Sequence, residues 1–291
     1  MSIKTILVPL DGTDAAKPAI EMGLAAAKEF AAHVEVLHVR PNPKDAVPLL
    51  GEGMSGTMIE EMIEIAEKEA QERAHKARAM FDEYCSRHAV GKADQPAPGL
   101  GVSAGWRDET GREDEITALR GRLADLIVVG RPLPDSPASS TMTLNAALTE
   151  TGRAVIVMPP GAAPGKDGLA AKVAISWNGS TEASRAVAAA MPIIERAKEV
   201  LVVTINVAEP SVTSAAEIGK YLAWHGIRAK VESHAVPERQ VGEEVVKQCA
   251  RFGADLLVMG AYTRSRLRRL IFGGVTQYVL SSSTVPALMV H

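Results

Sequence analysis

The sequence predicts an α/β protein built as two doubly wound domains in tandem, each with a five-stranded parallel sheet. Three observations carry this. First, Asp125-Leu126-Ile127-Val128-Val129-Gly130 recurs as Asp255-Leu256-Leu257-Val258-Met259-Gly260, and each copy precedes a second apolar run, Ala154-Val155-Ile156-Val157-Met158 or Pro286-Ala287-Leu288-Met289-Val290. Second, the opening Ile6-Leu7-Val8-Pro9-Leu10-Asp11-Gly12-Thr13 is matched by Val173-Ala174-Ile175-Ser176-Trp177-Asn178-Gly179-Ser180. A repeat of this length means two copies of a domain, because solenoid units run about 20–50 residues. Third, the strand segments are runs of Val, Ile and Leu rather than alternating patterns. That is the mark of parallel strands covered by helices on both faces.

In the first half the pattern reads as strand 3–10, helix 13–32 and strand 33–39. A loop follows at 40–57, rich in Pro and Gly. A long helix over 58–88 is carried by Ile59, Met62, Ile63, Ala66, Ala70, Ala77, Phe81 and Tyr84 at helical spacing. A strand near 99–105, helix 113–124, strand 125–130, helix 139–151 and strand 153–158 complete the half. Pro159, Pro160, Gly161, Pro164, Gly165 and Gly168 mark 159–170 as a linker between domains placed at 1–160 and 171–291. The second half reads as strand 171–177, helix 180–197, strand 199–207, helix 213–225, strand 227–235, helix 240–252, strand 254–260, helix 272–283 and strand 285–290. The apolar last strands of the two halves are expected to pair, which would hide two sheet edges and make the chain its own pseudo-two-fold dimer.

The chain has 291 residues, 46% of them apolar, enough for two ordinary cores. A formal charge of -3 offers nothing to nucleic acid or an anionic membrane. Cys85 and Cys249 occupy unrelated positions in the two halves, so neither a disulfide nor a thiolate metal site is expected and a cytoplasmic location fits. Strand-like sequence from Ile3 leaves no room for a signal peptide, and no apolar run reaches the ~18 residues of a membrane span.

Ligands on doubly wound sheets bind beyond the carboxyl ends of the strands, where strand order reverses. That rule points to Asp11, Arg40, Gly130, Asn178, Val207 and Gly260. Two other phosphate motifs fail on context. Gly51-Glu52-Gly53-Met54-Ser55-Gly56 has the dinucleotide spacing, but a proline-rich loop separates it from the preceding strand. Gly161 to Asp167 has the wrong P-loop spacing and leads into a strand. The seven histidines lack metal-ligand spacing, with His33 and His38 bracketing a strand in structural or surface roles, and no catalytic constellation is evident.

The segment after the fourth strand of the second half is more specific: Gly260-Ala261-Tyr262-Thr263, nine further residues, Gly273-Gly274-Val275-Thr276, then Val279 and a last strand opening at Pro286. It resembles the universal stress protein family. That motif is Gly, two residues, Gly, nine residues, Gly, Ser or Thr, then Val-Thr-x-x-Val. Val8-Pro9-Leu10-Asp11-Gly12-Thr13 fits the family's opening strand. The resemblance covers essentially the whole chain as a tandem member. It implies an adenine nucleotide alpha hydrolase-like fold, a cytoplasmic stress role and, in some members, bound ATP or another adenine nucleotide, with magnesium only as the nucleotide's companion. The implied site in this chain comprises Ser176, Asn178, Val207, Met259, Gly260, Gly273, Gly274, Val275 and Thr276. Physically, glycines let backbone N–H groups approach phosphate, a helix N-terminus favours an anion, and Val207 and Met259 would flank a base.

Three departures weaken that site. Thr263 stands at the second glycine, a misfit of roughly 1–2 kcal/mol if the position needs φ > 0. Gly274 replaces the hydroxyl residue and Asn178 the aspartate. Arg264, Arg266, Arg268 and Arg269 can reach phosphates in compensation. The first half has lost more. Pro132 and Pro134 remove N–H donors, no Gly-Gly pair opens its fourth helix, and Asp11 is expected only to cap the following helix with Thr13 and Asp14. The functions open to this sequence are nucleotide sensing in the second half, a ligand-free interaction protein working through an intrachain pseudo-dimer or a homodimer, and slow ATP hydrolysis.

Overall fold

The computed structural model describes residues 2–42, 56–95, 99, 101–166, 168–206, 215–262 and 274–291. Most of the loop read over 40–57, together with Val207, Thr263, Arg264, Arg266, Arg268, Arg269 and Gly273, lies outside the described residues.

The first half contains β1 (Thr5–Pro9), α1 (Lys17–Phe30), β2 (His33–Arg40), α2 (Gly56–Arg87), β3 (Gly91–Lys92), β4 (Ser103–Thr110), α3 (Glu113–Gly121), β5 (Leu126–Gly130), α4 (Ala138–Glu150) and β6 (Ala154–Met158). The second contains β7 (Lys172–Trp177), α5 (Thr181–Ile194), β8 (Glu199–Asn206), α6 (Ala215–Trp224), β9 (Ala229–Ala235), α7 (Val241–Phe252), β10 (Leu256–Gly260), α8 (Val275–Ser282) and β11 (Ala287–Val290). The strands form one sheet in the order β3-β4-β2-β1-β5-β6-β11-β10-β7-β8-β9. Every pairing is parallel except β6 with β11. In each half the order reverses beside the first strand, where β1 lies next to β5 and β7 next to β10.

The expected pseudo-two-fold pairing of last strands is present. Ala287 lies opposite Val157, Leu288 opposite Ile156 and Met289 opposite Val155, and all six are buried. Burying an apolar side chain of this size stabilises by about 1.5–3 kcal/mol, so the seam is a hydrophobic core shared by both halves. Two core layers run across it. One, under α1, α2, α5 and α6, holds Ile20, Phe81, Ile175 and Leu222; the other, under α4, α7 and α8, holds Leu148, Val155, Cys249 and Val279. Residues just after β5 and β10 also reach across: Arg131 Nη1 donates to the Ser283 carbonyl at 2.6 Å, and the Tyr262 hydroxyl to Asn145 Oδ1 at 3.4 Å. The linker is packed, with Leu169 and Ala170 buried and the Leu169 N–H bound to Glu29 Oε2 at 2.7 Å.

Two elements differ from the sequence reading. The first half has six strands, because Gly91–Lys92 adds a two-residue edge to β4. β4 itself runs further than expected, through Arg107-Asp108-Glu109. Its charges pair with neighbouring elements, Arg107 with Glu35 at 2.9 Å and Asp108 with Arg40 at 3.0 Å, so polar residues extend a strand that apolar periodicity ends early.

Candidate functional site

The two switch points begin with the same turn. After β1, Asp11 Oδ1 accepts the Thr13 N–H at 2.9 Å and the Thr13 hydroxyl at 2.7 Å, with Gly12 at φ +79°. After β7, Asn178 Oδ1 accepts the Ser180 N–H at 3.1 Å, with Gly179 at φ +73°. Both side chains therefore hold an Asx turn that only a residue tolerant of positive φ can close. In the second half Ser180 then caps α5, its Oγ accepting the Ala183 N–H at 3.1 Å. In the first half no side chain caps the helix: Thr13 spends its hydroxyl on Asp11. The expected helix-capping role of Asp11 and Thr13 is thus corrected to a turn-holding one.

The glycines ending β5 and β10 have a packing reason that is independent of any ligand. A Cβ on Gly130 would collide with the Ala15 carbonyl, and a Cβ on Gly260 would sit 2.6 Å from the Ala183 nitrogen. The backbone that opens the first helix of each half presses onto this strand end. One glycine of the motif is therefore demanded by the fold in both halves.

Beyond Gly260 the halves diverge. Met259 and Ser176 are register partners on β10 and β7, with Gly260 next to them at the switch point. Ala261 continues the ladder to the Val290 carbonyl at 2.8 Å. Tyr262 takes φ +57°, and its N–H donates to Thr276 Oγ1 at 3.1 Å. A left-handed non-glycine residue thus occurs at the position before Thr263. Gly274 is the N-cap residue of α8, at φ -67°, and no described atom lies within 4 Å of where its Cβ would be. Val275 and the buried Thr276 form the helix's first turn. Of the nine predicted residues, Ser176, Asn178, Met259, Gly260, Gly274, Val275 and Thr276 are described; Val207 and Gly273 are not. Trp177 packs against the core layer of α5 with its Nε1 buried and without a partner among the described residues.

In the first half the corresponding space is filled. Residues 131–137 link β5 to α4, whereas 261–274 link β10 to α8, so the first-half connection is half as long. Pro132 stands where Tyr262 does and has no N–H to give. α4 starts early at Ala138, and its first turn meets two carboxylates of the chain. The Ser140 hydroxyl donates to Asp11 Oδ2 at 2.8 Å, and Ser139 is hydrogen-bonded to Glu113. The crevice between Asp11, Gly130, Ser140 and Thr143 keeps only about 30 Å³, the size of a water. Thr143 Oγ1 is buried there without a partner among the described residues.

Beside this crevice lies a larger cleft of about 350 Å³ over the ends of β1 and β2, bounded by Asp11, His38, Arg73 and Glu113. Burial pushes Glu113 up to about 7; the nearby Asp11 carboxylate adds to the rise, while the Ser139 hydrogen bond and Arg73 oppose it. His38, read from sequence as structural or surface, is buried at 3% exposure, with Nδ1 2.8 Å from the Leu10 carbonyl and its ring stacked on Trp106. The sequence reading missed His38, Arg73 and Glu113 as a group. They come from β2, α2 and α3, and no local motif links them.

The Universal stress protein family matches the chain twice, over residues 2–132 and 172–291. A universal stress protein from Archaeoglobus fulgidus DSM 4304 has the same fold over 99% of this chain and 96% of its own, at a TM-score of 0.64 and 17% identity. A putative universal stress protein from Pseudomonas aeruginosa UCBPP-PA14 covers 99% of this chain and 93% of its own, at 0.55 and 14%. A 53-residue segment is 34% identical to the stress response protein NhaX of Bacillus subtilis (strain 168), spanning 18% of this chain and 32% of that protein, about a third of its length. With two family domains on one continuous sheet, the chain belongs to the universal stress protein family as a tandem member.

Proposed function

We propose that this protein is a cytoplasmic stress-response regulatory or protective protein that binds an adenine nucleotide of the ATP or AMP type in its second half. One observation carries the reading: among the described residues nothing lies within 4 Å of the Gly274 Cβ position at the start of α8, whereas the matching place before α4 is filled by the chain's own carboxylates. An open helix N-terminus offers free N–H groups and the positive end of the helix dipole to an anion. Thr276 accepts the Tyr262 N–H on its oxygen, which leaves its own proton to donate. Ser176, Asn178, Val207, Met259, Gly260, Gly273, Gly274, Val275 and Thr276 would hold the nucleotide, phosphates toward α8, with any magnesium arriving as its companion. No general base for activating water faces this position from Ser176, Asn178 or Thr276, so we assign binding without turnover. The intrachain pair supplies the dimer-like body, and neither nucleic acid nor membrane is a partner. No helix among the described residues is long and apolar enough to cross a membrane.

The test is thermal unfolding of the full chain against increasing ATP, AMP and an uncharged adenosine control. Ligand at a hundred times its Kd stabilises by about 2.7 kcal/mol and raises Tm accordingly. No shift with ATP or AMP at millimolar levels would overturn the binding reading. ATP turnover above buffer that disappears with a Gly260–Thr276 variant would overturn the assignment of binding alone.

A further inference from the structure

The cleft over β1 and β2 in the first half has features that suit a ligand of a different kind from a nucleotide. Its volume, about 350 Å³, is within the ordinary range of small-molecule sites. Its floor presents acceptors. Nδ1 of His38 faces a carbonyl, which can only accept, so Nδ1 carries the proton and Nε2 bears a lone pair. That Nε2 is buried with no partner among the described residues. Asp11 receives three hydrogen bonds, two on Oδ1 and one on Oδ2, and a carboxylate accommodates about four. Glu113 adds a second carboxylate at the same wall.

The charges can be followed element by element. Asp11 comes from the turn after β1, His38 from β2, Arg73 from α2, Arg112 and Asp114 from the start of α3, and Ser139 from α4. Arg112 and Asp114 cancel as an ion pair at 2.8 Å. Among the described residues lining the cleft, what remains is Asp11 and Glu113 against Arg73. With Glu113 ionised the cleft carries one excess negative charge; with Glu113 protonated it is balanced. Phosphate is disfavoured, because both carboxylates sit at the α4 terminus and Pro132, Pro134 and Pro137 withhold N–H donors. Val39, Pro41, Pro137 and Met142 give the cleft an apolar side.

We propose that this cleft binds a small organic ammonium ion with an apolar body, its charged end received by Asp11, Glu113 and Nε2 of His38. The site is separate from the nucleotide reading of the second half and does not depend on it. A proton on Glu113 and the bound ammonium occupy the same electrostatic place, so they compete. Glu113 titrates near 7, and the affinity of the ammonium therefore rises with pH through that range.

The experiment is calorimetric titration of the full chain with 2-phenylethylamine and with its uncharged isostere 2-phenylethanol, from pH 6 to pH 8. The amine is expected to bind about tenfold more tightly at pH 8 than at pH 6, as one carboxyl titrating near 7 goes from roughly a tenth to nine tenths ionised. The alcohol is expected to bind weakly and without pH dependence. Glu113→Gln should flatten the amine's pH profile at its low-pH affinity, and Glu113→Asp should keep the profile. AMP should not displace the amine. Equal binding of amine and alcohol, a flat profile in the unsubstituted protein, or no amine binding at about 10 mM would each overturn the proposal. The wild-type pH series stands even if a variant fails to fold.

Discussion

The N-terminus of α4 and that of α8 occupy the same place in two copies of one fold, and the described residues fill one and not the other. α8 begins at Gly274, with no described atom within 4 Å of its Cβ position. α4 begins after a seven-residue connection that contains Pro132, Pro134 and Pro137, and its serines are engaged by Asp11 and Glu113. Duplication left the strand-end glycines, the Asx turns and the ladder beyond them intact in both halves. The change is confined to the connection that delivers the fourth helix. A carboxylate of the chain satisfies a helix terminus much as a phosphate would, without needing a ligand. The features the halves share are therefore those the fold requires, and the features they do not share mark the chemistry.

If that division is right, the shared glycines should be the most costly to change. Gly130→Ala and Gly260→Ala each place a Cβ against backbone and should destabilise by about 2–4 kcal/mol, read as the urea midpoint, in both halves alike. A large loss at Gly260 with none at Gly130 would show that only the second is structural.

Glu113 offers the next largest effect. Its folded-state value of about 7 lies above the ordinary 4.5, so the native state binds its proton more tightly than the unfolded chain. Stability contributed this way is complete below the ordinary value and is lost as pH rises toward 7. Glu113→Gln should therefore stabilise by roughly 1–3 kcal/mol at pH 8 and make little difference at pH 4, after discounting for partial solvent access. A pH-independent difference would mean that Glu113 is an ordinary surface carboxylate.

Two buried threonines sharpen the contrast further. Thr276→Val removes the acceptor of the Tyr262 N–H and should cost about 1–2 kcal/mol. Thr143→Val replaces a hydroxyl with no partner among the described residues and should be neutral or slightly stabilising. Equal losses in denaturant melts would erase the distinction. The smallest effect on stability is expected from Gly274→Ser, which places a hydroxyl where no described atom lies within 4 Å of Cβ. It should tighten ATP by about 1 kcal/mol, close to fivefold, without altering stability.

Much of the architecture was legible because the repeat exposed it. Asp125–Gly130 and Asp255–Gly260 fixed the fourth strands, and the apolar pair Val155-Ile156-Val157 and Ala287-Leu288-Met289 foretold the antiparallel seam. The charged half of β4 was not legible, because Arg107 and Asp108 are held by partners on β2 that local periodicity does not see. The glycine segment could be found from spacing alone, since it lies within one connection of the chain. The first-half cleft could not. His38, Arg73 and Glu113 meet only through the crossing of β2, α2 and α3, and Ser139 and Ser140 read as ordinary helix residues until Asp11 is placed beside them.

The central claim is that a nucleotide enters the second half and not the first. Calorimetric titration of ATP into Gly274→Phe and Asp11→Ala tests it most directly. The phenylalanine has room to fold, because nothing described lies within 4 Å of the Gly274 Cβ position, but it fills the space before α8. The account predicts that binding is lost in Gly274→Phe and unchanged in Asp11→Ala. Binding retained in Gly274→Phe and lost in Asp11→Ala would contradict it and move the nucleotide to the first half.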